Sequence, residues 1–108
     1  MFDQSRINSL PIHKNVTSTA EPVLKGLRVI DFSHFIAGPL ATMMLGDFGA
    51  DVIKVEAPEK GEDFRHYPTV DPEMPAQGGA FLWANRNKMS LGLNLKSEAG
   101  LEVARELI

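Results

Sequence analysis

"FSHFIAGPLATMMLGDFGADVIKVE", residues 32–56, is the stretch on which the fold of this chain turns. It carries the tail of one apolar, β-branched run into a Gly-Pro, a short apolar segment, a Gly-Ala and a second β-branched run that ends in glutamate. With the residues before it, "GLRVIDFS" predicts a strand at about 27–32, buried on both faces. Gly38-Pro39 predicts a helix start, because proline gives up no hydrogen bond in a first turn. Leu40, Met43, Met44 and Phe48 then recur at helical spacing, with Met43 and Met44 read as core and Asp47 left for solvent. Ala41 and Gly46 are small enough to let the helix lie close to a sheet, and Gly49 stops it where a positive φ is needed. "DVIKVE" predicts a second strand at 51–56. Two strands joined by one helix of this length run parallel, with a right-handed crossover. The layout is that of a nucleotide-binding βαβ unit.

Outward from this unit the chain changes character twice. Residues 1–22 are polar and without period, and predict a flexible leader. Residues 57–79 are punctuated by Pro58, Pro68, Pro72, Pro75, Gly61, Gly78 and Gly79, which predicts a long loop of the functional or partner-packing kind. "AFLWANR" predicts one or two helical turns around 80–86, and "MSLGLNL" a third strand at about 89–94. Ser97 caps a last helix in which Leu101, Ala104, Leu107 and Ile108 fall near one face. That helix ends with its apolar side in want of cover, and a parallel sheet needs cover on both faces. The expectation is therefore that residues 23–108 form the N-terminal part of a larger Rossmann-like α/β domain.

Composition narrows the function classes. The chain has 108 residues, 44% of them hydrophobic, enough for one modest core. A net charge of −3 suggests no basic face for nucleic acid. With no cysteine there is no disulfide framework and no thiolate metal site, and the three histidines (His13, His34, His66) are scattered, so no metal is expected. The uncharged run from Phe32 to Gly46 is interrupted by Pro39 and too short for a bilayer, and residues 1–22 lack the apolar core of a secretory signal. A cytoplasmic protein with no membrane partner is the expectation.

A dinucleotide site requires Gly-x-Gly-x-x-Gly after the first strand and an acid about 20 residues on. Glu56 is suitably placed, but the turn reads Ser33-His34-Phe35-Ile36-Ala37-Gly38-Pro39. One glycine, with bulky residues where backbone must meet phosphate, argues against NAD. No Gly-x-x-x-x-Gly-Lys-Ser/Thr is present, so a P-loop is excluded.

"LKGLRVIDFSHFIAGPLATMMLGDFGADVIKVEAPEKGEDFR" together with "NRNKMSLGLNLKSEAGLEVARELI" resembles the N-terminus of the class III CoA-transferases, a family that also contains α-methylacyl-CoA racemase. The resemblance runs from about Leu24 to Ile108. It rests on the Ala-Gly-Pro turn, the Gly-Ala-Asp-Val-Ile-Lys-Val-Glu strand and the Asn-Arg-Asn-Lys before the third strand. It implies a Rossmann-like unit that holds coenzyme A, as an acyl-CoA substrate, at the strand ends. By matching positions, His34, Phe35, Ile36 and Ala37 would line the pantetheine and thioester end. Ile36 stands where some acyl transferases of the family carry a glutamine, and it has no donor for an oxyanion. Ala57 stands where those enzymes have a CoA-contacting arginine. Leu93, Asn94, Leu95 and Lys96 match a stretch that contacts the nucleotide part, with Lys96 suited to phosphate. Arg86 and Lys88 add positive charge nearby.

The resemblance further implies transfer of CoA between an acyl-CoA thioester and a free carboxylic acid through an aspartyl anhydride, in a homodimer whose subunits interlock. The nucleophilic aspartate is expected beyond Ile108, because Asp31, Asp47, Asp51, Asp63 and Asp71 do not match it. No residue of this chain is therefore assigned as catalytic. Two further readings use the same residues: part of an acyl-CoA racemase of the same fold, or a non-catalytic Rossmann-like binding module. Glu56 has plainer readings as a loop anchor or a solvated strand end, Arg65 as a solvated loop charge or, as the family's similar Gly-Asp-x-x-Arg implies, half of a structural salt bridge, and His34 as a hydrogen-bonded strand-end histidine.

Overall fold

A computed structural model describes residues 20–67 and 78–108. Most of the expected leader, residues 1–19, and the stretch 68–77 of the expected loop lie outside the described residues. The chain runs β1 (Arg28–Asp31), α1 (Ala37–Asp47), β2 (Asp51–Glu56), a 3₁₀ turn (Asp63–His66), α2 (Gly79–Asn85), β3 (Lys88–Gly92) and α3 (Glu98–Leu107). The three strands form one sheet in the order β1-β2-β3, and both pairings are parallel. Val29 pairs with Val52, and Lys54 with both Asp31 and Ser90. This is an α/β fold of the expected kind.

Strand alternation places Asp31, Lys54, Glu56, Lys88 and Ser90 on one face. Helices α1 and α2 cover that face: Thr42 of α1 bonds to Asp31, and Asn85 of α2 to Lys88. On the other face, Arg28, Ile30 and Phe32 border a groove of ≈ 570 Å³ with Leu107 and Ile108, so α3 lies opposite the first two helices.

Helix α1 begins without a side-chain cap, and Pro39 sits buried in its first turn, where the N–H groups are free in any case. Its far end closes through two hydrogen bonds, Ala50 N–H to Leu45 O at 3.0 Å and Gly49 N–H to Gly46 O at 2.9 Å. These are the paired bonds of a Schellman cap, and Gly49 supplies the required positive φ of 99°. A Cβ on Gly46 would lie 3.0 Å from Asn87 O, so this glycine does bring α1 close to the segment before β3.

Several expectations are corrected by the structure, those of burial because α1 and the edge strand β1 have cover over only part of their surfaces. Strand β1 is an edge among the described residues, with Arg28 exposed and Val29 and Ile30 half-buried, so it is not buried on both faces. Met43 is core, whereas Met44 and Phe48 are 54% and 59% exposed, and Ala41 also faces outward. β3 ends at Gly92, and Leu93 and Asn94 leave the strand. In α3 the expected face holds at Ala104, buried, and at Leu101 and Leu107, half-buried, whereas Ile108 lies past the helix end and is 87% exposed. The expected loop contains the 3₁₀ turn, anchored by Phe64 in a cluster with Phe81 and Ala84.

Candidate functional site

The turn between β1 and α1 is held at Ser33, Phe35 and Gly38. Phe35 has φ 62°, an unusual conformation for a bulky side chain. Its ring packs against Phe64 with centroids 6.0 Å apart. A Cβ on Gly38 would come 2.3 Å from Ser33 Cβ and 2.6 Å from Ser33 Oγ. The glycine of the Ala-Gly-Pro motif is thus required by the approach of Ser33 to the helix start. No phosphate is needed to account for it.

Beneath this turn lies a layer of buried charge that the sequence reading did not anticipate. Asp31 Oδ1 accepts from Ser33 N–H at 2.9 Å and from Ser33 Oγ. Its Oδ2 accepts from Thr42 Oγ1 at 2.8 Å and Lys88 Nζ at 2.9 Å. Burial pushes the Asp31 carboxyl up, but the hydrogen bonds from Ser33, Lys88 and Thr42 outweigh it and hold it at about 2. Burial holds the Lys88 ammonium below its usual range, against the pull of Asp31. Lys54 Nζ lies 3.8 Å from Asp31, donates to Ser33 O at 2.9 Å and abuts the Glu62 carboxylate. That last contact is one of charge: neither Glu62 oxygen has a partner in hydrogen-bonding geometry among the described residues.

Glu56 ends β2 and anchors the following loop. It receives Arg65 in a two-pronged pair at 2.6 and 2.7 Å, Ser90 Oγ at 2.8 Å and Glu62 N–H at 3.0 Å. Burial alone would raise its carboxyl, yet these donors hold it at about 2. The Arg65 guanidinium is raised by its bond to Glu56 and lies 3.8 Å from the centre of the Phe81 ring. Of the two readings open for each, Glu56 is the loop anchor and not a solvated strand end, and Arg65 is the salt-bridge partner and not a solvated loop charge.

At the carboxyl ends of the strands a cleft of ≈ 300 Å³ opens between Phe32 and His34 after β1, Val55–Pro58 at the end of β2, and Leu93–Lys96 after β3. An adjoining cleft of ≈ 340 Å³ shares Glu56 and Ala57 with it and reaches Lys60, Arg65 and His66. Of the nine residues singled out from the sequence, His34, Ala57, Leu93, Asn94, Leu95 and Lys96 line the first cleft together. Phe35, Ile36 and Ala37 do not line it: Phe35 turns to Phe64, Ile36 is half-exposed, and Ala37 opens α1. Arg86 and Lys88 do not line it either, since Arg86 pairs with Asp47 at 2.6 Å and Lys88 is buried under the turn.

The floor of the cleft is fixed locally. Leu93 N–H donates to Glu56 O at 2.8 Å, and Asn94 Oδ1 accepts from Lys96 N–H at 3.0 Å. Ser97 caps α3 by accepting from Gly100 N–H at 3.1 Å. A Cβ on Gly100 would fall 2.0 Å from Asn94 O, so only glycine lets the helix start so close to this loop. Lys96 is left exposed at the rim. Phe32, Val55, Glu56 and Pro58, which flank predicted residues, complete the lining and were not singled out as ligand contacts. Among the described residues no cluster of metal-ligating side chains occurs, and no helix is long and apolar enough to cross a membrane.

Known proteins resemble this chain in sequence and fold. The chain is 44% identical over 84 residues to mouse succinyl-CoA:glutarate CoA-transferase, a match covering 78% of this chain and 19% of the relative. It is 44% identical over 85 residues to formyl-CoA:oxalate CoA-transferase of Escherichia coli, covering 79% and 20%. The crystal structure of a CAIB/BAIF family protein from Brucella suis superposes with a TM-score of 0.72 at 38% identity, covering 82% of this chain and 24% of that one. The chain thus spans about a fifth of the length of these relatives. The model of CoA-transferase family III matches residues 24–108, and the chain belongs to that family.

Proposed function

We propose that residues 23–108 form the first part of the coenzyme A-binding domain of a CoA-transferase, with the cleft at the strand ends as the cradle for the acyl-CoA substrate. The observation that carries this reading is the convergence of His34, Ala57 and Leu93–Lys96 on one crevice at the carboxyl ends of parallel strands, where such folds take ligands. Lys96 at the rim serves a phosphate, and the apolar wall of Phe32, Val55 and Leu93 suits the pantetheine arm.

In the reaction, an aspartate carboxylate attacks the thioester carbonyl of the donor and expels CoA thiolate, giving a mixed anhydride. The thiolate attacks the aspartyl carbonyl of that anhydride, releases the donor acid and leaves an enzyme thioester. The incoming carboxylate displaces the thiolate to form a second anhydride. The thiolate then takes its acyl group, regenerating the aspartate. None of Asp31, Asp47, Asp51 and Asp63 lines either cleft, and Asp31 is locked under three hydrogen-bonding side chains. The nucleophile in this proposal comes from a segment outside these residues. The whole enzyme is proposed to be a cytoplasmic homodimer.

The test is calorimetric titration of the chain with CoA and, separately, NAD. Saturable binding of CoA alone is the expected result. A folded chain that takes up no CoA, or binds NAD equally, refutes the proposal.

A further inference from the structure

We infer that Asp31 and Lys54 are positioning residues that hold Ser33 so that the turn at residues 33–36 stands preformed at the mouth of the cleft, and that affinity for the pantetheine arm depends on its shape. The inference rests on the proposed coenzyme A cradle. Its ground is the number of constraints converging on Ser33. The amide and hydroxyl both donate to Asp31, the carbonyl accepts from Lys54, and the Cβ stands against the bare Cα of Gly38. Every polar atom of Ser33 thus has a hydrogen-bond partner within the fold. The next residue, His34, faces the cleft, and the one after it, Phe35, holds a left-handed backbone.

A left-handed phenylalanine persists only where its surroundings over-determine it. Here they do so from both sides, through the clamp on Ser33 and the contact of the Phe35 ring with Phe64. A turn fixed in advance spares the ligand the cost of ordering it, so its rigidity enters directly into affinity. The clamp also reaches beyond the turn. Lys54 abuts Glu62, whose N–H donates to Glu56, and Glu56 borders both clefts. One buried layer thus sets the position of His34 relative to the opposite wall.

The test compares Ser33→Ala, which removes the hydroxyl, and Gly38→Ala, which deletes no polar group but drives a Cβ against Ser33 Cβ and Oγ and so pushes Ser33 outward. Thr42→Val serves as the control, because it also removes a hydrogen bond to Asp31, together with bonds to the Gly38 and Pro39 carbonyls inside α1, but none to residues 33–36. Both turn variants should bind CoA about tenfold more weakly, while adenosine 3′,5′-diphosphate, the nucleotide half alone, binds unchanged. Amide exchange at residues 34–36 should rise in both and stay unchanged within β2. The control should keep its CoA affinity within about twofold. If Gly38→Ala does not fold, Ser33→Ala decides. Unchanged CoA affinity in Ser33→Ala, equal losses for CoA and the nucleotide half, or an equal loss in the control overturns the inference. If the native chain takes up no CoA, the functional proposal falls separately, and unaltered exchange at residues 34–36 in Ser33→Ala still overturns the clamp.

Discussion

Replacing Glu56 by glutamine isolates the energy of the loop anchor. The side chain is 2% exposed and receives four hydrogen bonds, two of them from Arg65. Glutamine keeps the shape but turns an N–H donor toward a guanidinium, which has only donors. The charge contribution follows from linkage. The carboxyl stands at about 2 in the fold against 4.5 ordinarily. At about 1.4 kcal/mol per pH unit, that interval is worth about 3 kcal/mol. Breaking a buried pair by removing one partner costs about 3–5 kcal/mol, and the low end applies because Arg65 is itself partly open to water. The sign is set by the depressed carboxyl. Above 4.5 both folded and unfolded chains carry the charge, and the stabilisation is complete. As pH falls through 4.5 toward about 2, the unfolded chain takes up the proton first and the stabilisation drains away. The gap between native chain and Glu56→Gln should therefore be about 3 kcal/mol at neutral pH and shrink steadily on acidification. Asp31 titrates over a similar window but is present in both proteins, so it cancels in the difference. Urea unfolding followed by circular dichroism across that pH range measures the gap. A gap as wide at about pH 3 as at neutral pH refutes the assignment of the energy to an ionised Glu56.

The parts of the fold that could be read in the sequence are those with local causes. Gly49 must adopt a positive φ to close α1, Pro39 fits only a first turn, and Ser97 is a capping residue followed by an amphipathic helix. Those constraints act within a few residues, so the elements emerged nearly in place. Burial is a property of neighbours, and there the reading failed. Met43 and Met44 are adjacent in sequence and equivalent in hydrophobicity, yet only one points at the sheet. Nothing in the local pattern of "ATMMLGD" states which side of the helix is covered.

The residues of the cleft lining were named through the family resemblance, by matching positions, and six of them meet because the strand ends of a parallel sheet converge on one edge. The charge layer was missed although it left a trace. Lys54 interrupts an otherwise apolar "VIKV" in the central strand, and with period-2 alternation it falls on the same face as Val52 and Glu56. A lysine in the middle of such a run is either a solvent-facing strand position or a buried, paired one. Asp31 at the end of the neighbouring strand favoured the second reading. What sequence could not supply was Glu62, which comes from a loop whose path depends on the Glu56–Arg65 anchor.

Three further outcomes follow from the geometry. Gly49→Ala should destabilise the chain by about 1–3 kcal/mol, since the φ of 99° is strained for alanine and its Cβ would meet Pro22 Cβ at 2.2 Å. A thermal midpoint equal to the native one would count against the Schellman cap as a determinant of stability. Ser97→Ala should cost about 1 kcal/mol and speed amide exchange at Gly100, the residue whose N–H it caps; unchanged exchange there would show that the cap contributes nothing. The last outcome concerns Lys96, the rim cation of the proposed cradle. Its ammonium is exposed and makes no ion pair among the described residues, so its loss should leave folding intact. Lys96→Ala should weaken CoA binding by roughly 1–2 kcal/mol, the scale of a charge-assisted contact that water partly shares. Because the contact is solvated, raising the salt concentration should narrow the difference, whereas a loss caused by misfolding would persist. Calorimetry of both proteins at low and high ionic strength separates these cases, and equal CoA affinities at low salt would remove Lys96 from the site.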